Sequence, residues 1–438
     1  MIYWAPLLHF YQPPGQLHQV LERVCNESYR PLIQVFKEHP NAKATVNVNG
    51  VLTEFLWQHG FGDVIDGLKE LAVRGQIEFV GSGKYHPILP LITEDERRRQ
   101  IARNHATNRH FFGEAYNPKG FFPPEMCYSH GIIDSIAGTG HKWFIVSGIA
   151  CPVGWPMDVV HQVESDAGRL AVFFRDDVLS NEISFKEIDG PGFIAHLKEL
   201  ENYKEGDVYV VTAQDAETFG HHIKDWETTF LAEVYEALAD EQVMASLTNG
   251  SQHIRRALAE QHRALFGYQS EDETKEIEVV TISQLLDIFP LGDVVEPKAS
   301  SWSTTHEDIA AGNPYPLWNS PGNEIHRLQW EHIQISLELL QEAEAVADNS
   351  KSKQHARIAR SLADVSLHSC QFWWASKRPM WDINMVHRGL LQQEEVILNA
   401  YKAITSSGAS SYTKREGYYR VLAARDARAK IRDRLFLD

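Results

Sequence analysis

Over the first 290 or so residues, short apolar runs alternate with stretches of helical spacing. Strands are predicted over 2–8, 44–49, 77–81, 120–122, 142–146, 170–174, 208–213 and 278–281. Several are continuous apolar runs rather than alternations, the pattern of parallel strands covered on both faces. Helical spacing fills 51–73 and 93–112. Repetition of strand then helix predicts a parallel α/β sheet or a barrel. Polar clusters follow one strand end after another, which favours the barrel, because barrel chemistry sits at those ends.

The pattern changes after residue 290. Of the 33 residues from 291 to 323, 14 are Gly, Pro, Ser or Asn, yet Trp302, His306, Tyr315 and Trp318 lie among them. Aromatic residues in a long irregular segment point to a functional connection rather than a plain linker. From 324 onward, Ile325, Leu328, Ile333, Leu337 and Leu340 repeat at helical spacing, and a second helical run from Ile358 ends in Trp373 and Trp374. The expected organisation is therefore a catalytic barrel over 1–290, an aromatic-bearing loop over 291–323 and an all-helical domain over 324–438. The tail from Lys414 holds eight basic and four acidic residues, which read as a solvated helix face.

Forty-two basic against 59 acidic residues give a net charge of −17. So negative a surface repels phosphate backbones and anionic headgroups, so neither nucleic acid nor a membrane is expected as a partner. Met1–His9 lacks a basic flank and its apolar stretch breaks at His9, so no secretion signal is expected. Cys25, Cys127, Cys151 and Cys370 show no CxxC spacing, which indicates neither a disulfide framework nor a zinc cluster and fits a reducing cytoplasm.

Four clusters follow predicted strands. LLHFYQPP places His9 and Gln12 where the first strand runs out, although a lone His there is more often a structural group. GQIEFVGSGKYHPILP brings His86 after a Gly-rich turn, without the GK[ST] register of a phosphate loop. GFFPPEMCY holds Glu125 behind two prolines and two phenylalanines. That carboxylate is either used, since burial beside rings is costly, or it satisfies amides in a first helical turn. VYVVTAQDAETFGHH runs an apolar strand into Asp215, Glu217, His221 and His222. Metal ligation is the weaker reading there, because adjacent histidines point apart and HExxH is absent. Two carboxylates on the ends of separate strands are what glycoside hydrolysis requires.

Together these clusters resemble glycoside hydrolase family 57, over nearly the whole chain. His9, Gln12 and Pro13 are similar to its first motif, with Tyr11 where the family has a second His. Gly120–Glu125 resembles the motif whose Glu is the nucleophile, and Asp215–His221 the one whose Asp is the general acid/base. Tyr85-His86-Pro87, Ser301-Trp302-Ser303 and RDDVLSNEISF are similar to the amylase and amylopullulanase branch. The resemblance implies an incomplete (β/α)7 TIM-like barrel with a helical C-terminal domain. It further implies a retaining α-glucan hydrolase acting on α-1,4 bonds, with α-1,6 bonds as an extension.

On that basis Glu125 is expected as nucleophile and Asp215 as general acid/base. His9, Gln12, His86, Glu217 and His221 are expected to bind or orient the sugar. Trp226, Trp302, Trp318, Trp373 and Trp374 are candidate stacking platforms, with core packing an equal reading for each. No cofactor or metal is expected. The alternatives are a 4-α-glucanotransferase or branching enzyme sharing the covalent intermediate, and, from another class, a metal-dependent carbohydrate deacetylase using His9, Asp215 and a neighbouring His.

Overall fold

The computed structural model describes residues 1–240, 276–378 and 380–437. The chain forms two compact units, Met1–Lys84 with Arg97–Trp302, and Tyr85–Glu96 with Ser303–Asp438.

Ten strands are present among the described residues. They are β1 (Ile2–Phe10), β2 (Ala44–Val48), β3 (Ile77–Val80), β4 (Gly120–Phe121), β5 (Trp143–Ser147), β6 (Val160–Ser165), β7 (Gly168–Arg175), β8 (Val208–Asp215), β9 (Ile277–Val279) and β10 (Leu291–Val294). One parallel ladder runs β3-β2-β1-β8 and a second joins β4, β5 and β7. The ladders meet at a parallel bridge between Gly81 and Phe121. At the other seam Asp176 N donates to Val211 O at 2.7 Å and Arg175 Nε to Ala213 O at 2.9 Å. Seven parallel strands thus close a ring with one unladdered seam, an incomplete (β/α)7 barrel. Strand β9 lies beside the first residues of β1, β6 is antiparallel to β7, and β10 extends that edge.

Strands β6 and β10 are absent from the sequence expectation. VHQVES and LGDV carry too few apolar residues in a row, because β6 buries only Val160 and Val163 and β10 is largely exposed. The predicted helix over 51–73 is two, Gly50–Gln58 and Gly62–Val73, parted where Gly60 takes φ +84°.

Strand alternation then divides the barrel's apolar residues between two cores. Trp4, Leu8 and Phe10 pack outward with Val46, Val48 and Val210 against the surrounding helices. Ala5 and Leu7 point inward with Ile145, Phe173, Val211 and Ala213. Continuing the inward parity by one step puts His9, Asn47, Ser147, Arg175 and Asp215 in the barrel's last inward layer, at the C-terminal ends of five strands.

The second unit is helical. Glu324–Val346, Ser350–Ser366 and Ile383–Ser406 start at Asn323, Asn349 and Asp382, whose side chains accept from first-turn amides. Ser411–Leu437 is the last helix. Leu339, Leu340 and Val396 pack with Ala356, Ala359, Ala363, Ala400 and Ala403, small residues that let the backbones approach. No helix among the described residues is long and apolar enough to cross a membrane, and none of the four cysteines is in a disulfide.

Candidate active site

His9 sits opposite Asp215 in the β1–β8 register. Its Nδ1 lies 2.7 Å from Asn47 Oδ1 on β2, and its ring stacks on Phe122 at 4.7 Å. Burial penalises the imidazolium and pushes its pKa down to about 4, so the ring is neutral at pH 7.

Glu125 follows β4 on a tight turn. Pro123 holds the chain extended, and Glu125 then takes φ +58° and Met126 φ +48°. Left-handed backbone at a residue with a Cβ costs about 1–3 kcal/mol and persists only where the surroundings enforce it. They do so here. Phe122 and Met126 are anchored in the inner core. Trp302 N donates to Glu125 O at 3.2 Å, and its indole Nε1 donates to Glu125 Oε2 at 3.0 Å. Tyr128 and Ser300 exchange backbone bonds of 2.8 and 3.2 Å, zipping the two segments together. Trp302 also meets His9 and Phe122 edge-on at 5.9 and 5.8 Å. Of the five candidate tryptophans, Trp302 is the one brought against a candidate carboxylate, and it holds that carboxylate by a hydrogen bond.

Burial raises the pKa of Asp215 to about 6, against the opposing pull of the Arg175 guanidinium. Arg175, whose side chain is largely buried, is fixed by Ala213 O, by Asp177 Oδ1 at 2.7 Å and by Asn181 Oδ1 at 2.9 Å. Its charge acts on Asp215 through space, with three of its five N–H groups engaged elsewhere. Glu217 lies two residues on, in the turn Ala216–Thr218. Burial and the Asp215 charge raise its pKa to about 7. Gln12 Nε2 donates to Glu217 Oε1 at 2.9 Å, and the Tyr29 hydroxyl donates to the same oxygen. Asp215 and Glu125 both remain partly open to solvent in buried surroundings, as cleft residues are.

His221 lies in the turn that follows, and its Nδ1 pairs with Glu27 Oε2 at 2.5 Å. Trp226 is in the outer core, 3% exposed, with its indole N–H on Ile183 O and its ring on Phe230. That is a core residue rather than a platform. The remaining candidates belong to the second unit. His86, at φ +57°, places Nδ1 2.9 Å from Ser369 Oγ. Trp318 is 1% exposed, which again is core placement rather than a stacking surface. Trp373 and Trp374 are half-buried and meet edge-on at 4.6 Å. Asn47, Arg175 and Tyr29 had no role in the sequence reading. Asn47 and Arg175 each stand as a polar residue closing an apolar strand, a signal that could have found them. Among the described residues, no group of three His, Cys, Asp or Glu side chains converges as metal ligands would.

The family profile of glycosyl hydrolase family 57 matches residues 8–265, more than half of the chain. The chain belongs to this family. An α-amylase of Pyrococcus abyssi is 28% identical over 221 residues, covering 49% of this chain and 32% of that protein. A 4-α-glucanotransferase of Thermococcus kodakarensis gives the same identity and coverage. The matched region thus spans about a third of these relatives' length. Among solved structures, the family 57 branching enzyme of Thermococcus kodakaraensis superposes with TM-score 0.66 at 16% identity, covering 95% of this chain and 94% of that one. The α-amylase AmyC of Thermotoga maritima gives 0.65 at 15%, covering 95% and 96%. These two likenesses are of fold.

Proposed function

We propose that the chain is a retaining α-glucan hydrolase acting on α-1,4 bonds, and on α-1,6 bonds as an extension. The observation that carries this reading is the pair of partly open carboxylates, Glu125 after β4 and Asp215 ending β8, at the strand ends of a family 57 barrel. Glu125 attacks the anomeric carbon, while Asp215 protonates the leaving oxygen and then draws the proton from the attacking water. An acid with a raised pKa, and a second carboxylate steadied by an indole N–H, have the asymmetry this mechanism needs. Neutral His9 and Gln12 supply hydrogen-bonding groups beside the reacting sugar. We assign catalysis to the barrel over 1–290. Four cysteines without a disulfide among them support a cytoplasmic setting.

The relatives named 4-α-glucanotransferase keep transfer as the second reading. Chromatography of products from maltooligosaccharides, starch and pullulan tests both. Net release of shorter sugars, and cleavage in pullulan, fits hydrolysis. Redistribution to longer chains without a gain in reducing ends overturns it in favour of transfer.

A further inference from the structure

Strand β2, ATVNV, alternates strictly. Ala44, Val46 and Val48 face the outer core, while Thr45 and Asn47 face into the barrel. Thr45 has a structural task. Its hydroxyl donates to Glu78 Oε1 at 2.8 Å and accepts from Ile282 N at 2.9 Å. Asn47 is different. It is fully buried, and its Nδ2 meets no acceptor among the described residues. A buried amide N–H without an acceptor is unfavourable, and an apolar side chain of the same size would avoid it. What Asn47 supplies over such a side chain is one oxygen, and that oxygen lies 2.7 Å from His9 Nδ1.

That contact fixes the place of a proton. An amide oxygen has nothing to donate, so the hydrogen stands on His9 Nδ1. Burial keeps the ring neutral, with a pKa of about 4. A neutral imidazole carries one N–H, so Nε2 bears a lone pair and no proton. Phe122 and Tyr11 stack on the ring at 4.7 and 5.9 Å and set its plane. In the parallel register His9 stands between Asn47 on β2 and Asp215 on β8. At Nε2 it can accept a hydrogen bond and cannot give one.

We propose that Asn47 is a positioning residue that makes His9 a hydrogen-bond acceptor toward the substrate. The site then selects the sugar by a hydroxyl proton rather than by a hydroxyl oxygen. This rests on the α-glucan reading given above, and on the place of His9 beside the reacting sugar. Fluorine in place of a hydroxyl keeps much of its size and polarity but has no proton to give. At the hydroxyl that meets His9, the site therefore rejects fluorine as it rejects hydrogen. A donating His9 would tolerate fluorine better.

Two measurements test this. The first reads the proton directly, by nitrogen NMR of protein labelled at histidine, with His9 assigned from a His9→Gln spectrum. At pH 7 the wild type should show Nδ1 protonated and Nε2 bare, and Asn47→Leu should move His9 to the form protonated at Nε2. The second is calorimetric binding of maltotriose analogues, each with one hydroxyl of the central ring replaced by hydrogen or by fluorine. A Glu125→Gln background stops turnover, so the effect of fluorine on the reaction itself does not enter. At one position both replacements should weaken binding roughly five- to tenfold, the worth of one hydrogen bond. Adding Asn47→Leu should shrink the fluorine penalty there to within about twofold, because Nε2 can then carry the proton. A wild-type His9 protonated at Nε2 would overturn the proposal. So would fluorine tolerated wherever hydrogen is not, or an Asn47→Leu protein with the wild-type tautomer and penalties. The wild-type spectrum and the binding series with Asn47 intact decide the matter even if Asn47→Leu does not fold. Maltotriose that neither binds nor is turned over would overturn the α-glucan reading instead, while the spectrum still shows whether Asn47 sets the His9 proton.

Discussion

The indole N–H of Trp302 donates to Glu125 Oε2 at 3.0 Å, and the backbone of the same tryptophan holds the Glu125 carbonyl. A residue that pins a carboxylate this way acts on its chemistry, whereas a stacking platform acts on sugar binding. Trp302→Phe preserves the edge-on contacts with His9 and Phe122 and deletes the donor. A hydrogen bond to a charged group contributes about 1.5–3 kcal/mol, so kcat should fall roughly 10- to 100-fold with KM nearly unchanged. Steady-state kinetics on maltooligosaccharides decide it. A large rise in KM at unchanged kcat would return Trp302 to the role of platform.

Glu125→Gln should remove turnover altogether, because no second carboxylate stands on the β4 turn to take over nucleophilic attack. The melting temperature should hold, since glutamine still accepts from the Trp302 indole. A variant keeping a tenth of wild-type activity would end the assignment of Glu125 as nucleophile.

The sequence foretold the ring of strands because buried parallel strands announce themselves as apolar runs. Once β1 and β8 are known, parity alone puts His9 and Asp215 on the inner side. Other parts of the site were illegible for physical reasons. Nothing in PPEM signals that Glu125 adopts a left-handed backbone, because the enforcing contact comes from Trp302, far along the chain. Tyr29 lies outside every predicted element, and its partner across the chain, Glu217, is brought to it only by the fold. Trp226 and Trp302 look alike in sequence, and long-range packing buries one and sets the other on a carboxylate.

Gly220→Ala should be severely destabilising. The residue has φ +103°, and a methyl group would sit 1.8 Å from Glu27 O, which is backbone and cannot step aside. Backbone strain and the clash together should cost roughly 2–4 kcal/mol. Differential scanning calorimetry should show a fall of several degrees. A melting temperature within a degree of wild type would mean that the turn carrying His221 is not held against Glu27 as described.

Chelation should leave the activity untouched. His221 is paired with Glu27, and no three candidate ligands converge among the described residues. Assays with and without EDTA check this. Loss on chelation with recovery on adding zinc would favour the deacetylase reading.

Asp215→Asn should inactivate the enzyme toward glucans and stabilise its fold, with the gain depending on pH. The folded pKa of Asp215, about 6, lies above its ordinary value of 3.8 because burial disfavours the anion. Below pH 4 the folded and unfolded forms are both protonated, and the group has no effect on stability. As pH climbs from about 4 to 6, the unfolded chain releases its proton first, so the native state loses stability across that window. The neighbouring Glu217 carboxyl, raised by burial and by the Asp215 charge, extends the decline toward neutrality. At about 1.4 kcal/mol per pKa unit the Asp215 shift corresponds to roughly 3 kcal/mol, reduced to roughly 1–2 kcal/mol because the carboxylate is partly solvated. Asparagine has no charge to bury, and Arg175 keeps its bonds to Ala213, Asp177 and Asn181 without Asp215. Melts of the two proteins should coincide near pH 4 and separate by several degrees in favour of the variant at pH 7. A gap that is constant with pH, or one that favours wild type at pH 7, would show that the fold does not strain to hold Asp215 ionised.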